Sequence, residues 1–102
     1  MILFYIPCPD KACAAQIAKT LLEEKLVGCA NIIPGMDSMY WWEGKIETSS
    51  EHILILKVLK TSDAQDLVTK RVKELHPYDA PCIMTLPVLG INPEFKKWLE
   101  EI

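Results

Sequence analysis

Ser38-Met39-Tyr40-Trp41-Trp42-Glu43-Gly44-Lys45-Ile46-Glu47 places three adjacent aromatics directly before Glu43-Gly44, a pair that fits a tight hairpin turn. Side chains alternate across a strand, so Tyr40 and Trp42 share one face and Trp41 takes the other. Each ring buries roughly 200 Å², which at about 25 cal/mol per Å² is at most about 5 kcal/mol. That is large beside the total stability of a small domain, on the order of 5 to 15 kcal/mol. A chain that carried such rings in water would invite association, so Tyr40, Trp41 and Trp42 are expected to form an interface. The competing reading puts one Trp in the core and leaves the other at an edge, half covered by a loop.

Outward from the hairpin, the pattern resolves into alternating strands and helices. Met1 to Ile6 is a continuous apolar run ended by Pro7-Cys8-Pro9, which suits a central strand and a turn. Asp10 stands where it can cap a helix whose apolar stripe is Ala14, Ile17, Ala18, Leu21 and Leu22, with Gly28 expected as the C-terminal cap. Cys29 to Ile33 reads as a second strand that Pro34-Gly35 interrupts with a kink or bulge before the aromatic stretch. The return strand runs from Lys45 towards Leu59, with Ile53 to Leu56 apolar enough to be buried on both faces. Ser62 or Asp63 can cap a second helix striped by Ala64, Leu67, Val68, Val72 and Leu75, and His76-Pro77 ends it. A fourth strand follows over Cys82 to Val88. Asn92-Pro93-Glu94 then opens a short helix with Phe95, Trp98, Leu99 and Ile102 on its apolar side. The order predicts an α+β, ferredoxin-like βαββαβ fold, an antiparallel sheet with both long helices on one face, and an extra C-terminal helix.

Composition narrows the function classes. The 102 residues suit a single domain, 1–102, with a modest core. Acidic side chains outnumber basic ones, for a net charge of -3, and no basic stripe is available to displace counterions, so nucleic acid is not an expected partner. No apolar run approaches the roughly 20 residues that a membrane-crossing helix needs. No cleavable leader is evident, and a cytoplasmic location without membrane attachment is expected. Four cysteines, Cys8, Cys13, Cys29 and Cys82, are read as reduced and mostly buried thiols.

Four separated motifs, in order, carry a resemblance. They are Gly28-Cys29-Ala30-Asn31-Ile32-Ile33-Pro34-Gly35, Tyr40-Trp41-Trp42-Glu43-Gly44-Lys45-Ile46-Glu47, His76-Pro77-Tyr78 followed by Pro81, and Phe95-Lys96-Lys97-Trp98-Leu99. Over essentially its whole length the chain resembles the CutA family of divalent-cation tolerance proteins. The resemblance implies a ferredoxin-like homotrimer, similar in architecture to the PII signalling proteins, with long hairpin strands crossing subunit boundaries. It implies a link to copper and other divalent cations and does not establish an enzyme activity. The family's strand-one cysteine aligns with Ile6, two residues before Cys8, and Leu75 stands where the first of two histidines would be. His76 carries over directly.

Topology suggests which residues form a candidate metal site. Adjacent antiparallel first and fourth strands would bring Cys8 to the same end of the sheet as Cys82, with His76 leading into the fourth strand. Thiolate and imidazole ligands suit copper or zinc, so Cys8, His76 and Cys82 are the candidate ligands. A plain role is open for each: a histidine before proline commonly bonds a carbonyl at a helix end. Cys13, in the first turn of a helix, is either a reactive thiol or a buried one. His76, Tyr78 and Asp79 read as a turn rather than an acid/base group, and Glu47 and Glu51 as residues of a solvated strand face. The expected function is therefore a non-enzymatic, trimeric metal-response protein. The alternative is a trimeric scaffold or PII-like module that binds a small ligand or a protein at its subunit clefts.

Overall fold

A computed structural model describes residues 1–59 and 63–102. The elements are β1 (Ile2–Cys8), α1 (Lys11–Glu23), β2 (Cys29–Trp42), β3 (Lys45–Val58), α2 (Ala64–Leu75), β4 (Met84–Pro87) and α3 (Pro93–Glu100). The four strands form one sheet in the order β2-β3-β1-β4, antiparallel throughout, which is the expected ferredoxin-like arrangement. Strand β4 is shorter than the apolar run suggested, because Cys82 and Ile83 precede the pairing of Met84 with Tyr5.

Alternation explains where the core lies. Ile2, Phe4, Ile6 and Cys8 of β1 and Leu54, Leu56 and Val58 of β3 point to one face, where Ala14, Ile17, Ala18 and Leu21 of α1 and Val68 and Val72 of α2 cover them. One face of the sheet therefore has its helices. Ile53 and Ile55, expected to be buried on both sides, lie on the opposite face and are only half-buried, and Ile33, Met84 and Leu86 beside them are exposed. Among the described residues α1 and α2 form a single layer on the first face, and neither reaches the second.

The expected side-chain caps met different outcomes at the element ends. The Asp10 side chain accepts a hydrogen bond from the Cys13 N–H at 2.8 Å, the expected N-cap. The Ser62 alternative for capping α2 lies outside the described residues, and Asp63 makes no side-chain cap bond. Asn92 bonds the Glu94 carboxylate at 3.1 Å instead of capping α3 through its side chain.

Gly28 is the main correction to the helix ends. Helix α1 stops earlier, with Lys25 in the left-handed region at φ 59°. The Leu26 N–H donates to Leu21 O and the Lys25 N–H to Leu22 O, both at 3.0 Å, which is a Schellman motif. Gly28 serves packing instead: a Cβ there would overlap Leu99 Cδ1 and lie 3.2 Å from Leu99 Cγ, so its bareness lets α3 seat its one buried residue. The Arg71 guanidinium clasps Glu24 at 2.7 and 2.9 Å, tying α2 to the end of α1 and holding that carboxyl below its usual range.

Candidate functional site

The hairpin of β2 and β3 outruns the rest of the sheet. Strand β1 pairs with β3 only as far as Cys8 with His52, whereas β2 and β3 continue from Met36 with Glu51 to Trp42 with Lys45. Pro34 and Gly35 form the irregularity in register between Ile33 and Met36, and Glu43 and Gly44 both take positive φ at the turn. The result is a two-stranded arm about 23 Å long, at about 3.3 Å per residue. Tyr40 and Trp42 face the uncovered side of the sheet and Trp41 the other, as alternation required. Trp41 is 74% exposed and Trp42 61%, so neither is a core residue of this chain.

At the base of the arm, the segment joining α2 to β4 folds back across the uncovered side. Together they bound an open cleft of about 980 Å³ lined by Pro7, Tyr40, Trp42, Glu47, Glu51, Pro77, Tyr78, Asp79, Ala80 and Cys82. His76 anchors the wall. Its Nδ1 accepts the Tyr78 N–H at 3.2 Å, which leaves the ring proton on Nε2, and Nε2–H donates to the Pro7 carbonyl at 2.9 Å. Both ring nitrogens are thus committed to backbone groups, and the imidazole staples the end of β1 to the turn after α2.

Tyr78 extends the network into the cleft. Its hydroxyl donates to Glu51 Oε2 at 3.2 Å, and burial, helped by the nearby Glu51 carboxylate, pushes the phenol up to about 12. Glu51 is not a solvated residue, as the strand pattern had suggested: it is only 8% exposed, whereas Glu47 is exposed. The signal that would have flagged Glu51 is its place at the start of the buried stretch of β3, where the hairpin first meets β1. Tyr78, read from sequence as part of a plain turn, holds that carboxylate.

The cysteines fall in different surroundings. Cys8 is fully buried, its thiol donating to the Ile6 carbonyl at 3.7 Å, and burial, with Cys13, Glu51 and Asp10 adding, pushes it up to about 12. Cys13 is also shifted upward, by burial and by Asp10 against an opposing contribution from Cys8, so the helix start does not turn it into a reactive thiolate. Cys82 is exposed on the cleft wall, and partial burial and Glu51 shift it upward. All four cysteines are free. Of the candidate ligands, Cys82 faces the cleft, His76 lies behind its wall with no free lone pair, and Cys8 is inside the core. Among the described residues no three His, Cys, Asp or Glu side chains stand together as a ready-made metal-binding group.

Comparison with known proteins places this architecture. Residues 2–102 match the family model described as CutA1 divalent ion tolerance protein. The chain is 44% identical over 101 residues to the divalent-cation tolerance protein CutA of Pyrococcus horikoshii, covering 99% of this chain and 96% of that one. It is 39% identical to Protein CutA 1, chloroplastic, of rice, covering 97% of this chain but spanning only 55% of the rice protein. Among solved structures, the one named as the periplasmic divalent cation tolerance protein CutA of Archaeoglobus fulgidus superposes with a TM-score of 0.89 at 41% identity, covering 99% of this chain and 97% of that one.

Proposed function

The chain belongs to the CutA1 family of divalent ion tolerance proteins, and from that premise we propose that it acts without catalysis, as one subunit of a homotrimeric cation-response protein. The observation that carries this reading is the pair of uncovered apolar surfaces, the helix-free face of the sheet and the aromatic arm. Neither is hidden by the described residues, and a head-to-tail contact closed by a three-fold axis would satisfy both without filament growth. Tyr40, Trp41 and Trp42 then sit at the boundary between copies, with the cleft beside them. Four free cysteines suit a reducing compartment, and we place the protein in the cytoplasm on that ground.

The cation, copper or another divalent ion, has no ready-made cage in one subunit. Cys82 is the soft donor that faces the cleft, with Glu51 behind it, and the remaining ligands of a bound ion would come from water or a second copy. His76 joins such a site only after releasing the Tyr78 N–H, and Cys8 only after leaving the core.

Native mass spectrometry of the reduced protein, titrated with Cu(I), Cu(II) and Zn(II), tests both parts. The expected result is a trimer whose copper uptake falls in Cys82→Ala. The paired change Trp41→Ala and Trp42→Ala should release monomers or aggregates. A monomeric wild-type protein, or an intact trimer in the paired variant, refutes the assembly; uptake indifferent to Cys82, His76 and Cys8 refutes the metal site. A second reading, a PII-like module with a small ligand in the subunit cleft, is favoured by the cleft's aromatic walls.

A further inference from the structure

We propose that the cleft at the base of the arm binds an organic ammonium ion, a protonated or methylated amine bearing an apolar group. The inference rests on the small-ligand reading of the cleft and names the ligand class. Three aromatic side chains, Tyr40, Trp42 and Tyr78, and three carboxylates, Glu47, Glu51 and Asp79, line the cleft, and among the described residues no Lys, Arg or His side chain does. Glu51 is the central group. It is almost wholly buried, its hydrogen-bond partner is the neutral Tyr78 hydroxyl, and it has no ion-pair partner among the described residues.

A carboxylate in such surroundings calls for a counter-cation, and the walls discriminate between kinds of cation. A bare divalent ion needs several hard oxygen ligands converging on one point, and the described side chains do not converge. An ammonium ion carrying carbon substituents needs no such convergence. Its diffuse charge is met by the faces of Trp and Tyr rings within about 6 Å of their centroids, and its apolar part takes the ring surfaces out of water. Trp42 gives the strongest such face, and Tyr40 lies two residues away on the same side of the strand. The volume of about 980 Å³ lies at the upper end of small-molecule sites, with room for a ligand larger than the ammonium group itself.

The test compares benzyltrimethylammonium chloride with benzyl alcohol, a neutral probe with the same ring, by isothermal titration calorimetry at constant ionic strength with EDTA present. The ammonium probe is expected to bind about tenfold tighter than the alcohol. Glu51→Gln, which keeps an acceptor for the Tyr78 hydroxyl, should abolish most of that preference, and Trp42→Leu should weaken the ammonium probe selectively. Equal affinity for the two probes, no measurable binding of either, or a preference that survives Glu51→Gln would overturn the proposal. Native mass spectrometry of the same samples reports the oligomer, so a failed assembly is distinguished from a failed ligand site. Chelation removes any contribution from a metal.

Discussion

Replacing Gly28 with alanine tests whether that glycine exists for α3 rather than for the end of α1. Gly28 is not in the left-handed region, so alanine is allowed there by the backbone and would gain about 0.4 to 1 kcal/mol by restricting the unfolded chain. Against this stands the overlap of its Cβ with Leu99 Cδ1, with Leu99 Cγ at 3.2 Å and Ile102 Cδ1 at 3.5 Å. Leu99 is 3% exposed and has little room to turn away. Overpacking of this kind costs about 1 to 3 kcal/mol, so Gly28→Ala should be destabilising by about 1 to 2 kcal/mol. For a chain of this size each kcal/mol lowers the melting temperature by about 4 to 8 °C.

The decisive comparison is a double-mutant cycle. Leu99→Ala alone opens a cavity and should cost about 2 to 5 kcal/mol. In Gly28→Ala with Leu99→Ala the new methyl enters vacated space, so the double variant should be more stable than the two losses added together by about 1 to 2 kcal/mol. Urea unfolding at one fixed protein concentration measures all four corners, so that any contribution from self-association enters each alike. Strict additivity would show that Gly28 and Leu99 do not compete for the same volume, and the packing explanation of Gly28 would fail.

Two further outcomes follow from buried or constrained groups. The Cys8 thiol ionises near 12 in the folded protein against an ordinary 9.0, so the folded state holds its proton more tightly; stability is intact below pH 9 and falls as pH rises from 9 towards 12, by about 4 kcal/mol in all. Urea midpoints of wild type and Cys8→Ala between pH 8 and 11 check this: the wild type should lose ground faster, and parallel curves would refute the assignment. Lys25→Gly relieves a side chain held at φ 59° in the Schellman position and should stabilise the fold by up to about 1 kcal/mol, visible as a higher urea midpoint.

Elements were legible from the sequence where the local signal is strong, although the Asp63 and Asn92 side chains do not make the cap bonds expected of them. Asp10 before an apolar stripe, Glu43-Gly44 between two β-rich runs, and Pro34-Gly35 within a strand each declare themselves within a few residues, and each turned out as read. Gly28 was misread because the atom that forbids its side chain belongs to Leu99, far along the chain, while the true helix stop at Lys25 uses a residue type that rarely signals one. Ile53 to Leu56 looked buried on both faces because a continuous apolar run does not say how many layers cover a sheet, and among the described residues α1 and α2 cover only one side. At the candidate site, Glu51 was read as solvated and Tyr78 as part of a plain turn, because their pairing joins a strand to a distant turn. For His76 the helix-end alternative describes the observed bonds, and a choice between two backbone partners and a metal depends on tertiary placement that spacing does not encode.

The two residues at the bulge are exposed, yet they steer the arm. A Cβ built at Gly35 would meet no atom within 4 Å, so what the position requires is its φ of +76° and not space, and Pro34 beside it has its own φ fixed by its ring. A bulge bends its strand and adds right-handed twist, so this pair sets the heading along which the aromatic tip leaves the sheet. The heading of the arm can therefore drift in descendants of this chain through changes at an exposed site outside the core. A variant changed at this pair would keep every ring of the tip unaltered, and its fault would lie in the aim.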